Sequence, residues 1–163
     1  MSDDSPLDRL NAEEAAAAEH DLLACCASRR WADEILARRP YRDLAQLRGV
    51  SEQVLRALDW ADVEHALAAH PRIGERATGT GTEAGWSRAE QAGATPSEDL
   101  VAGNVAYEER FGHVFLICAT GLTGEEMLTA LRTRLGNDPA TERDVVREEL
   151  RKIVELRLGK AFS

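Results

Sequence analysis

Long apolar runs are missing from this 163-residue chain. Even Val114 to Ala119, as long as any, falls far short of the about 20 residues that a spanning helix needs, and of a secretory signal core. No membrane segment is therefore expected. Cysteine is scarce: Cys25 and Cys26 are adjacent and Cys118 stands alone, so there is no C-x-x-C pair, no metal-type spacing and no even-numbered disulfide framework. Three free thiols in a reducing compartment are the expectation. Concentrated positive charge is also lacking. The formal net charge is −9 and no basic stripe stands out, which argues against a nucleic-acid surface and leaves any anionic ligand to a few local cations. The acidic first residues and the absence of a peroxisomal tripeptide in Lys160-Ala161-Phe162-Ser163 point to the cytoplasm. Finally, β-branched residues alternate nowhere for long enough to propose a sheet.

What is present is helix signal, and the predicted fold class is all-α: one compact multi-helix domain over residues 1–163. A chain of this size can bury roughly two-thirds of its unfolded surface without metals or disulfides. Helix formers fill Asn11 to Ala27, with Asn11 as a cap. Further helices are predicted over Trp31–Arg38, Asp43–Arg48, Ser51–Leu58 (separated from the last by Gly49, with Ser51 as cap) and Asp62–His70. Ser97 opens a long one in which Leu100, Tyr107, Phe111, Val114, Phe115 and Cys118 recur at helical intervals. Thr123 to Leu135 and Thr141 to Leu158 complete the set, the last with Val145, Leu150, Ile153, Val154 and Leu158 facing inward.

Residues 76–86 break the pattern. With Gly79, Gly81 and Gly85 among threonines, the stretch predicts a flexible connection able to order over a ligand. Its G-x-G is not a phosphate loop, since neither a preceding strand nor a Lys followed by Ser or Thr is there.

Two segments flanking that stretch carry chemistry. In His70-Pro71-Arg72-Ile73-Gly74-Glu75 the proline disfavours helical geometry at the residue before it, which makes His70 the C-terminal residue of its helix. There the unsatisfied carbonyls and the negative end of the macrodipole favour an imidazolium, a useful bias for a proton donor; a histidine C-cap explains the position equally well. In Ser87-Arg88-Ala89-Glu90-Gln91 a carboxylate and an amide are offered from the start of the next helix, with Ser87 at capping-box spacing from Glu90. A metal is not expected: His65 and His70 are five residues apart and would stand about 140° apart around a helix. His20, His65 and His113 read as surface or packing residues.

These segments, with Asn104-x-x-Tyr107, Arg110-Phe111-Gly112-His113-Val114-Phe115-Leu116-Ile117-Cys118-Ala119, Ile153-x-x-x-Arg157-Leu158 and, upstream, Trp31 and Arg39-Pro40-Tyr41, resemble the 2-oxo-4-hydroxy-4-carboxy-5-ureidoimidazoline (OHCU) decarboxylase family over nearly the whole chain. The resemblance implies a cofactor-free decarboxylase of urate catabolism that yields (S)-allantoin from a ureido-imidazoline, working as a homodimer. It implies His70 and Glu90 as catalytic residues, with Pro71, Ser87, Gln91 and Arg157 at the substrate. Phe115, Leu116, Ile117, Cys118 and Ala119 would contact it largely through their backbone. A helix-interior reading of that run is as natural, so backbone contact requires the helix to end near Gly121. After His-Pro, vertebrate members carry Asp-Leu-Ala-Gly where this chain has Arg72-Ile73-Gly74-Glu75, a form closer to bacterial and plant members; a mutual ion pair is the simplest role for Arg72 and Glu75. Two rival functions remain open: a helical ligand-binding or interaction module without turnover, and a histidine-assisted ureide hydrolase.

Overall fold

The computed structural model describes residues 5–73, 82–92 and 97–163, and among these it is all-helical, with no strand. The helices are α1 (Pro6–Ala12), α2 (Ala15–Cys25), α3 (Arg29–Ala37), α4 (Leu44–Ala57), α5 (Trp60–Leu67), α6 (Thr82–Glu90), α7 (Glu98–Phe111), α8 (Gly124–Arg134) and α9 (Pro139–Phe162). Short polar side chains start many of them by accepting the first free amides: Ser28 from Trp31, Asp43 from Gln46, Ser97 from Leu100 and Thr123 from Glu126. None of the helices is long and apolar enough, among the described residues, to cross a membrane. Cys25, Cys26 and Cys118 are thiols, in no disulfide, as expected.

The chain groups into two compact units. The first, residues 1–66 and 151–163, is built from both ends of the sequence. In it α2 packs on α3 and α3 on α4, around a fully buried Trp31 whose indole N–H donates to Ser51 Oγ at 3.0 Å. Ser51 is thus not a cap. α4 runs straight through Gly49, whose neighbourhood is open, because Ser51 is more useful as the acceptor that a buried indole requires. Asn11 is likewise no cap: α1 and α2 are separate helices, and the Asn11 amide pairs with the backbone of Tyr41, accepting from its N–H at 2.7 Å and donating to its carbonyl at 2.9 Å. The C-terminal part of α9 closes this unit. There Arg48 donates to the Glu155 carbonyl at 3.1 and 3.2 Å, and Ile153, Val154 and Leu158 are buried.

The second unit, residues 67–150, has its own core: Ile73, Leu100, Tyr107, Phe115, Ile117, Ala119, Met127 and Leu131, with α7 packed on α8. The bounds of α7 and α9 differ from the sequence reading. α7 ends at Phe111, where Gly112 takes the left-handed conformation (φ 78°) and its N–H donates to Glu108 O. The apolar spacing continues to Cys118, but a residue at positive φ breaks the ladder, and 113–119 runs on without helix. α9 begins at Pro139 and not at Thr141, because Asp138 accepts the Thr141 N–H at 2.7 Å and is the cap; Val146 rather than Val145 is fully buried.

Candidate active site

α5 stops at Leu67, and His70 lies just beyond it, its N–H closing a tight turn on Leu67 O at 3.0 Å. His70 is therefore not the last helical residue. The proline effect reaches one turn further back than expected, and the imidazole, half-buried, stands in the turn that follows the helix. Pro71, also half-buried, comes next. The following two residues are held by one face of α7. Arg72 donates from Nε and Nη2 to the Glu108 carboxylate at 2.7 and 3.2 Å, and the Asn104 amide donates to Ile73 O at 2.8 Å. Glu108 is thus an ion-pair partner of Arg72; Glu75, the partner expected from the sequence, lies outside the described residues.

The second site segment sits at the end of a helix, not at its start. α6 already covers Thr82 to Trp86, which the glycine content had marked as loop; residues 76–81 lie outside the described residues. Ser87 is consequently inside the helix and caps nothing at its N-terminus. Glu90 is its last residue, and Gln91, half-buried, returns its N–H to Ser87 O at 3.1 Å. Spaced three and four apart, Ser87, Glu90 and Gln91 share one face. Ser87 is 4 % and Glu90 8 % exposed, so that face is turned inward.

The third segment, 113–119, is neither helix nor strand, and its backbone is gripped by side chains. Arg134 Nη1 donates to Leu116 O at 2.6 Å, and the Cys118 N–H donates to Glu149 at 3.2 Å. Phe115, Leu116, Ile117 and Ala119 bury their side chains, while Cys118 is only partly buried. The helix end that backbone contact required is present, at Phe111 and well before Gly121. Arg134 itself is anchored by Glu142, wholly buried, which accepts from Arg134 Nε at 2.9 Å and Nη2 at 2.6 Å, from Asn137 Nδ2 at 3.1 Å and from the Tyr107 hydroxyl. The guanidinium also lies over the Phe115 ring, 4.5 Å from its centroid. Burial and the Glu142 bond push the Tyr107 phenol well above its ordinary pKa, so it stays a donor. His113 packs edge-on to Tyr107, as a packing histidine, and His20 and His65 are exposed.

Arg157 is in the first unit. It is 1 % exposed and donates from Nη1 to Ala24 O at 3.2 Å, so it is not a solvated arginine on the outer face of the last helix. Among the described residues, the buried polar or charged side chains are Ser28, Ser51, Ser87, Glu90, Asn104, Arg134, Glu142 and Arg157. Three of these, Ser87, Glu90 and Arg157, belong to the site read from sequence; Ser28, Ser51, Arg134 and Glu142 have the structural duties given above. Sequence reasoning missed Arg134, Glu142 and Glu149 as supports of 113–119. Asn104 and Tyr107 were visible as a motif but carried no assigned role. Within the described residues, no group of three His, Cys, Asp or Glu side chains is placed to hold a metal ion.

Comparison with known proteins puts this arrangement in context. A uric acid degradation bifunctional protein TTL of Arabidopsis thaliana is 32 % identical over 156 residues, covering 89 % of this chain and 47 % of that protein, so the chain spans about half the length of this relative. A 2-oxo-4-hydroxy-4-carboxy-5-ureidoimidazoline decarboxylase of Amia calva is 37 % identical over 127 residues, covering 74 % of this chain and 73 % of that one. A crystal structure of an OHCU decarboxylase in the presence of (S)-allantoin superposes with a TM-score of 0.74 at 28 % identity, covering 91 % of this chain and 97 % of that chain. The OHCU decarboxylase profile matches residues 11–159, and on that match, with the all-helical fold that agrees with it, the chain belongs to the OHCU decarboxylase family.

Proposed function

We propose that the protein decarboxylates 2-oxo-4-hydroxy-4-carboxy-5-ureidoimidazoline to (S)-allantoin, without a cofactor, in urate degradation. The substrate carries its carboxylate and a hydroxyl on one ring carbon, next to a carbon doubly bonded to nitrogen. When the bond to the carboxylate breaks, its electron pair forms a bond to that neighbouring carbon, and the nitrogen takes up the charge and a proton. The substrate is its own electron sink. The enol that remains becomes a ring amide carbonyl when its hydroxyl gives up its proton and a proton reaches the carbon bearing the ureido group, and delivery to one face sets the handedness of allantoin.

His70 is assigned to the hydroxyl and carboxylate region as proton donor, and Glu90 to orienting His70 or the ring nitrogens. Ser87 and Gln91 give neutral hydrogen bonds to ureido and ring groups, backbone groups of 115–119 add more, and Arg157 offers a planar fork to a carbonyl or carboxylate. The observation that carries this reading is the inward face of α6: a carboxylate and a hydroxyl one turn apart, both buried, in the unit that also holds the His70–Pro71 turn. Arg157 enters by its match to the family's arginine, and its burial is consistent with more than a surface role. The family match over 11–159 supports a single domain. A cytoplasmic homodimer completes the proposal, its dimer measurable by light scattering.

The test is incubation with freshly generated substrate, followed by circular dichroism of the product. (S)-Allantoin should form faster than in buffer, and His70→Ala or Glu90→Ala should cut turnover by on the order of a hundredfold or more with helix content unchanged. Racemic product at the spontaneous rate would refute the enzyme reading. Release of ammonia in place of carbon dioxide would identify a hydrolase.

A further inference from the structure

The turn that carries His70 is fastened to α7 at two consecutive residues, by side chains four apart on one helix face. Glu108 takes the Arg72 guanidinium through two oxygens, and Asn104 donates to the Ile73 carbonyl. The outer fastening is partly exposed, with Arg72 at 51 % and Glu108 at 27 %. The inner one is buried: Asn104 is 3 % exposed and, among the described residues, its Oδ1 has no hydrogen-bond partner. A buried amide that satisfies only its donor side is a poor choice for stability, since the orphaned oxygen has lost its water for nothing. An apolar residue of the same size would remove that penalty while giving up the bond to Ile73. The amide is therefore better explained by the carbonyl it holds than by any gain in packing.

We infer that Asn104 is a positioning residue for the reaction: by holding the Ile73 carbonyl it fixes the His70–Ile73 turn, and so the imidazole, against α7, with the Glu108–Arg72 pair as a second, outer fastening. The inference rests on the assignment of His70 as proton donor. Bound reactants tolerate little misplacement of a donor, and a shift of about 1 Å can cost on the order of a hundredfold in rate.

Asn104→Leu keeps the branched four-atom skeleton and deletes the donor. It should lower kcat by about ten- to a hundredfold, leave KM and allantoin affinity within a few-fold, and, distinctively, erode the handedness of the product, because water then competes with a displaced donor for the enol. A purely structural role lowers the amount of active protein but leaves handedness intact. Glu108→Gln should act in the same direction but more weakly. Wild-type kcat and handedness in folded Asn104→Leu overturn the inference. If Asn104→Leu does not fold, Glu108→Gln and Arg72→Gln decide, and wild-type kcat and handedness in both overturn it. If the wild-type protein has no turnover, the function proposal fails by itself. The inference is then read from the His70 Cε1–H resonance: an unchanged shift in Asn104→Leu or the outer variants refutes it.

Discussion

Replacing Arg134 by methionine tests the buried network that holds the 113–119 segment. Methionine fills the aliphatic part of the space but leaves the Glu142 carboxylate, 0 % exposed, with only the Tyr107 hydroxyl and the Asn137 amide as the partners shown for it. Breaking a buried pair by removing one partner typically costs about 3–5 kcal/mol, roughly a hundred- to several-thousand-fold in the folding equilibrium. The bond lost at the Leu116 carbonyl, made by a charged donor at 2.6 Å, adds about 1.5–3 kcal/mol. Against a total of about 5–15 kcal/mol for a domain, Arg134→Met should sit at the edge of unfolding. Urea titration in the cold, followed by circular dichroism, gives the loss. The double variant Arg134→Met/Glu142→Leu removes the stranded charge and should recover at least half of it, the shortfall reflecting the Leu116 carbonyl and the Tyr107 hydroxyl. A single-variant cost below about 1 kcal/mol, the level of an exposed pair, or a double variant no more stable than the single, would refute the reasoning.

Three further expectations follow from separate features. Gly112→Ala should destabilise by about 1–2 kcal/mol, because φ is +78° and nothing nearby crowds a Cβ, so the cost is that of the backbone alone; Gly112→Asn should cost less, and a neutral alanine would mean that α7 ends by other means. Asp43 and Asp138 have pKa values lowered below 3.8, chiefly by the backbone N–H groups of Gln46 and Thr141 that they cap. The stability they give is then complete above that ordinary value and lost as pH falls through the depressed ones, so Asp43→Asn/Asp138→Asn, which caps without titrating, should flatten the acid limb of the melting temperature. Arg157→Lys keeps the charge and can still reach the Ala24 carbonyl, yet should weaken allantoin binding by about 1–3 kcal/mol by calorimetry, whereas wild-type affinity would remove Arg157 from the site.

The helical class and most of the elements were legible because they depend on local signals: capping residues, helix formers and apolar spacing. Ser97 and Thr123 cap where the sequence says they should. The misreadings occur where a tertiary demand outweighs a local one. Ser51 and Asn11 have good capping chemistry, but the buried Trp31 indole and the Tyr41 backbone claim their side chains. Periodicity carried α7 to Cys118, although one glycine at positive φ suffices to stop it at Phe111. The site residues were legible only through resemblance. Nothing in the spacing of His70, Glu90 and Arg157 says that the latter two are buried. The supports, Arg134 and Glu142, read as an ordinary base near a helix end and an acid in a first turn, because their meaning lies in a pairing across a helix junction.

The composition of the first unit also orders events during synthesis. Residues 67–150 are one unbroken stretch, and their core can assemble as soon as they have left the ribosome. Residues 1–66 are made earlier but lack α9's last turns, and the bonds from Arg48 to Glu155 and from Arg157 to Ala24 join positions 107 and 133 apart in the chain. The stretch made first of the two must therefore finish last, and its apolar helix faces stay uncovered until the end of α9 has been made. Nascent-chain aggregation and chaperone dependence should trace to α1–α4, even though the residues assigned to chemistry are concentrated in the stretch that closes first.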